Sequence, residues 1–155
     1  MANSNNIKNI SLKNKSDYLK SLNFKKDLKT LEKAVYSENI TGANPITSDN
    51  TTQKKFNADG TSLTISNSAT LSLNAQQTVH INAKDNGTVT IESGSSITST
   101  NSNTIQGKDQ SGLTVTNSGT ISAAGSKAIN LLNAESSTVT NNSGGVIKSL
   151  SLIHI

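Results

Sequence analysis

Apolar and polar residues alternate along this chain in short bursts, and one burst recurs. Four nine-residue phrases can be laid over one another: LTISNSATL from Leu63, VTIESGSSI from Val89, LTVTNSGTI from Leu113 and VTNNSGGVI from Val139, with starts 26, 24 and 26 residues apart. The first and ninth positions are aliphatic in every copy: Leu63 and Leu71, Val89 and Ile97, Leu113 and Ile121, Val139 and Ile147. A third aliphatic column precedes the later phrases at Ile81, Ile105 and Ile129. Inside each burst the period is two, pairing Leu63 with Ile65, Leu71 with Leu73 and Val79 with Ile81 on one face of a strand. One period of about 25 residues therefore holds three short strands joined by corners of Asn, Ser, Gly and Asp.

No strand of this kind can bury its apolar face within its own period. Stacking successive coils at the usual strand spacing of about 4.8 Å lines the aliphatics into columns and closes a narrow core. The pattern predicts an all-β fold, a right-handed parallel β-helix with three short strands per coil over residues 56–149, followed by a tail at 150–155. Gly87, Gly94, Gly112, Gly119, Gly125 and Gly144 fall at the corners, where a positive φ is expected. Laid out this way, Thr64, Thr90, Thr114 and Thr140 form one outward column. Asn141 replaces the aliphatic found at Ile65, Ile91 and Val115 with no Asn stacked against it, which predicts a shifted or frayed last coil. The Thr-x-Thr pairs Thr88/Thr90, Thr114/Thr116 and Thr138/Thr140 slip by two residues against this register. A regular threonine lattice able to match ice is therefore not expected, nor any thermal hysteresis.

Ahead of the repeats, residues 16–36 read as an amphipathic helix with Leu19, Leu22, Leu28, Leu31 and Val35 at near-helical spacing and Ser16 or Asp17 as its cap. The helix belongs to a Lys-rich leader over 1–45, and residues 46–55 read as a linker.

Composition changes this picture in three respects. Asn, Ser and Thr number 21, 24 and 19 of the 155 residues, far too polar for an ordinary globular core and consistent with many thin stacked layers. The net charge of +4 is concentrated ahead of the repeats: residues 1–55 hold ten Lys against five acids, residues 56–155 four against five. With no Arg anywhere, the bidentate contacts favoured by nucleic-acid readers are missing, and no nucleic-acid partner is expected. The absence of Cys rules out disulfides, thiolate metal sites and Cys nucleophiles. No apolar run reaches membrane-spanning length, and the opening MANSNNIKNISLKNKSDY lacks the apolar stretch of a signal peptide.

Candidate chemistry is sparse. His80, between Val79 and Ile81, faces outward and is not surrounded by any metal-binding or triad spacing, and His154 lies in the tail. Asp85 and Asp109, each preceded by Lys, recur one coil apart and form the only carboxylate pair that a carbohydrate-active β-helix enzyme could use; a repeated solvated Lys-Asp corner is the plainer reading. No catalytic, cofactor-binding or metal-binding residue is predicted, and no cofactor.

The phrases LTVTNSGTISAAGSKAINL and STVTNNSGGVI resemble the passenger domains of Gram-negative autotransporters of type V secretion, β-helical surface proteins in which NSGTI-like corners repeat many times. The likeness spans about residues 56–149 and rests on the repeat, without a catalytic signature. It implies a non-enzymatic, surface-exposed or secreted segment of a virulence-associated adhesin, whose partner would be a host glycan or surface protein. Such proteins also carry a signal peptide and a C-terminal outer-membrane barrel. Neither is found in this sequence, which is accordingly read as an N-terminal piece ending at SLSLIHI, with its export left open.

Overall fold

Strands of four residues with alternating burial dominate the structure, because each burst of the sequence is long enough to present only two side chains inward. The computed structural model describes residues 37–150, which form an all-β parallel solenoid of about four turns without a helix. The helix expected at 16–36 and the last five residues of the tail lie outside the described residues.

A short first coil contributes β1 (Ser37–Ile40) and β2 (Ala43–Ile46). Four full coils follow. They are built from β3 (Gln53–Phe56), β4 (Ser62–Ile65) and β5 (Thr70–Leu73), then β6 (Val79–Asn82), β7 (Thr88–Ile91) and β8 (Ser96–Ser99). After these come β9 (Ile105–Ser111), β10 (Thr114–Asn117) and β11 (Thr120–Ala123), and last β12 (Ile129–Glu135), β13 (Thr138–Asn141) and β14 (Val146–Ser149). Corresponding strands pair in parallel into three sheets, ordered β1-β3-β6-β9-β12, β2-β4-β7-β10-β13 and β5-β8-β11-β14.

The solenoid thus begins before residue 56, in sequence read as leader and linker. Ile40 and Ile46 are buried there, Ile40 stacks on Phe56 and Ile46 on Ile65. Pro45 is tolerated because β2 is the edge strand of its sheet. Gln53 and Lys54 are also buried, each with a partner: the Gln53 side-chain amide donates to the Gln77 carbonyl at 2.7 Å, and Lys54 pairs with Glu38. A strand whose inward residues are polar carries no periodic signal, which is why the composition of 46–55 pointed to a linker.

The core is a set of aliphatic columns, and the pairing corrects their register in one place. Val89 lies on Val115, not on Leu113, so the first column runs Leu63, Val89, Val115, Val139. The second runs Ile65, Ile91, Asn117, Asn141. The column Leu71, Ile97, Ile121, Ile147 is as expected. Ile105 sits on Val79 rather than on Ile81, which instead lies on Gly107, with Leu131 on the far side of that glycine.

One corner explains the displacement. Four residues separate the second and third strands in the first, second and fourth full coils, and only Ser118 and Gly119 do so in the third. The two-residue gap lies after β10, whereas matching the phrases end to end had placed it before Leu113. The short corner demands glycine: a Cβ on Gly119 would stand 2.2 Å from the Ser95 carbonyl oxygen and 2.5 Å from that of Glu92.

Glycines expected to supply positive φ divide into two groups. Gly94, Gly112 and Gly144 do so, with Gly112 in a bend column shared by Gly60, Asn86 and Ser136, all of positive φ. Gly87, Gly119 and Gly125 instead make space. Gly87 leaves room for the Phe56 ring, 3.0 Å from where its Cβ would be, and for Leu113, which is fully buried at this corner.

Candidate functional site

Alternation that sends aliphatics inward sends hydroxyls outward. On the second sheet the outward positions stack into two files, Ser62-Thr88-Thr114-Thr138 and Thr64-Thr90-Thr116-Thr140. The slip expected for the Thr-x-Thr pairs is therefore absent. Thr116, not Thr114, continues the file of Thr64 and Thr90, and the three pairs lie in register one above another. On the third sheet the outward files are Thr70-Ser96-Thr120 and Ser72-Thr98-Ser122, ending at Val146 and Lys148.

The two hydroxyl faces differ in what they bind. On the third sheet the first two full coils are zipped together: Ser96 donates to the Thr70 hydroxyl at 3.0 Å, Thr98 to Ser72 at 2.9 Å and Thr100 to the Asn74 side-chain oxygen at 2.9 Å. On the second sheet none of the eight hydroxyls has a protein partner among the described residues. Their donors and acceptors are turned to solvent.

Inside the third and fourth coils the expected lone Asn141 has a stacked neighbour after all. The buried Asn117 amide donates to the Asn141 side-chain oxygen at 2.7 Å and to the Gly119 and Val146 carbonyls at 3.3 and 3.2 Å. This is a short asparagine ladder tying the tight corner to the coil above. It was hidden by the same two-residue displacement, since Asn117 had been aligned outside the aliphatic column.

Asp85 and Asp109 do not stack on each other. The Asp85 carboxylate accepts the Ser111 backbone N–H at 2.8 Å, and Asp59 accepts that of Asp85 at 3.0 Å, so this corner column runs Asp59, Asp85, Ser111. Asp109 belongs to the column of Asn133, whose side-chain amide donates to it at 2.8 Å; both backbones have φ of 49°. That hydrogen bond, assisted by Lys108 with its ammonium 3.4 Å away, holds the Asp109 carboxyl below its ordinary value.

His80 faces outward on the first sheet, between Lys55 and Gln106 in register. Partial burial, followed by the Lys55 and Lys108 charges, holds its imidazole below the ordinary value of 6.5. His154 lies outside the described residues. Among the described residues no group of three or more His, Asp or Glu side chains gathers to hold a metal. Compared with known proteins, the chain matches no family model, no curated protein and no solved structure.

Proposed function

We propose that this chain is a non-enzymatic surface segment of the autotransporter passenger kind, exposed on or secreted from the cell, wound right-handed and serving adhesion to host glycans or surface proteins. One observation carries the reading: the outward positions of β4, β7, β10 and β13 on the second sheet and of β5, β8 and β11 on the third are all Ser or Thr, interrupted only at the ends of the stack by Ala43 and Pro45 on β2 and by Val146 and Lys148 on β14. Hydroxyls repeated at a fixed spacing along a stiff stack suit a polymeric partner, because many weak hydrogen bonds can form at once. The Cys-free composition suits a chain that crosses a membrane unfolded before its coils stack.

The test is display of the full chain on bacterial cells through a fused outer-membrane barrel, with binding scored on immobilised glycans and cultured epithelial cells. Binding above that of cells displaying the barrel alone is expected, and binding that falls when Thr90 and Thr98 are both changed to Lys. Cells that carry the protein on their surface yet bind no better than the barrel alone would overturn the proposal.

A further inference from the structure

The two hydroxyl faces have the same residue types and different hydrogen bonding, and that contrast needs a physical account. On the third sheet Thr70, Ser72, Ser96 and Thr98 bond one another between coils, leaving only Thr120 and Ser122 of its outward hydroxyls without a protein partner among the described residues. On the second sheet the hydroxyls form two continuous files of four with no protein partner. Seven of the eight are Thr, the exception being Ser62 at the N-terminal end. Thr is β-branched, so χ1 is restricted and the hydroxyl directions are set before anything binds. A Ser lattice would lose more rotamer freedom on ordering.

Spacing follows from the backbone. Within a file, neighbours are one strand apart, about 4.8 Å; between files, they are two residues apart along a strand, about 6.6 Å. These two repeats at right angles lie close to the oxygen repeats on the prism face of hexagonal ice. No charged side chain stands in either file, so no ionic hydration shell competes with an ordered water layer. The methyl groups between the hydroxyls hold that layer off the backbone and leave water to order against its own neighbours.

We propose that the Ser62-to-Thr138 and Thr64-to-Thr140 files of the second sheet are an ice-binding surface, taking a lattice of ordered water as ligand. The inference concerns a different ligand from the adhesion proposed above and stands or falls without it. Eight hydroxyls that each contribute weakly bind a crystal firmly because they engage together and are already positioned.

The experiment is nanolitre osmometry on the purified full chain, with ice-crystal morphology and recrystallisation followed in parallel. Faceted crystals and a gap between melting and freezing points are expected. Thr90→Lys and Thr116→Lys, each placing a charge in the middle of a file, should return both readouts to those of buffer. Thr98→Lys, on the third sheet, should leave them unchanged. If a lysine variant loses its β-sheet circular dichroism, Thr114→Ala removes one exposed hydroxyl and is expected to narrow the gap. Unshaped crystals with folded wild-type protein, equal loss from Thr98→Lys, or a gap unaffected by Thr114→Ala would each overturn the assignment. Glycan or cell adhesion by the same preparation would not rescue it.

Discussion

The column Leu71, Ile97, Ile121, Ile147 offers a direct measure of what stacking contributes, because its members share a chemistry and differ in what lies above them. Ile97 is fully buried between Leu71 and Ile121, which are fully buried too. Ile147, on the last described coil, has Ile121 on one side and is 37% exposed. Ile97→Ala removes three carbons, a transfer loss of roughly 2.4 kcal/mol. The hole is closed off above and below by neighbouring coils, so a cavity contribution brings the total to about 3.5 kcal/mol. Ile147→Ala loses contact on one side only and opens to solvent, which limits the cost to about 1 kcal/mol. At about 4 °C per kcal/mol for a domain of this size, the melting temperatures fall by about 14 °C and about 4 °C. Thermal melts followed by far-UV circular dichroism, repeated in urea, measure both. Equal losses at the two positions, or a smaller loss at Ile97, would refute the stacking argument.

Gly119→Ala should destabilise by more than 3 kcal/mol or prevent folding, because its Cβ would meet the Ser95 oxygen at 2.2 Å; soluble yield and urea midpoint measure it. Inserting two residues between Ser118 and Gly119 restores the corner length of the other full coils and should cost under about 1 kcal/mol, read from the same midpoint. Asn117→Ala removes the donor to Asn141, Gly119 and Val146 and should cost about 2 kcal/mol, with faster amide exchange across β13 and β14. His80 sets a pH dependence of definite sign. Its folded pKa is below the unfolded value of 6.5, so between the two the unfolded chain binds more protons, and stability falls as pH drops through 6.5 until the folded group also protonates. A melting series from pH 8 to 5 should show this slope in the wild type and a flatter one in His80→Gln.

Much of the fold could be read from the chain because the aliphatic columns obey one rule, that an inward position must be apolar at every turn. Leu71, Ile97, Ile121 and Ile147 repeat without exception, and their corner phrases fixed the period. The rule fails where an inward residue is polar and bonded to a neighbour. Gln53, Lys54 and Asn117 are buried through specific partners far away in sequence, and nothing local distinguishes them from surface residues. The early start of the solenoid and the asparagine ladder were both lost in this way. The glycines show a related ambiguity: Gly94 answers a backbone angle and Gly119 a lack of room, yet both stand in the same kind of Ser-rich corner.

The outward faces were harder to read because their meaning depends on register to the residue. A two-residue displacement keeps the same face inward, since the side-chain period is two, so the apolar alternation cannot detect it. It does change which residue stacks on which. Placing the gap before Leu113 rather than after Asn117 left the core looking intact, while it broke the file of Thr64, Thr90 and Thr116 and brought Asp109 over Asp85. Moving the gap by one strand reverses both consequences: the threonines join into continuous files and the carboxylates separate into different columns. In a solenoid the core therefore tolerates a family of registers, and the surface chemistry selects a single member of it. The length of one corner, set by the close approach of Gly119 to the Ser95 carbonyl, decides which hydroxyls this protein presents together.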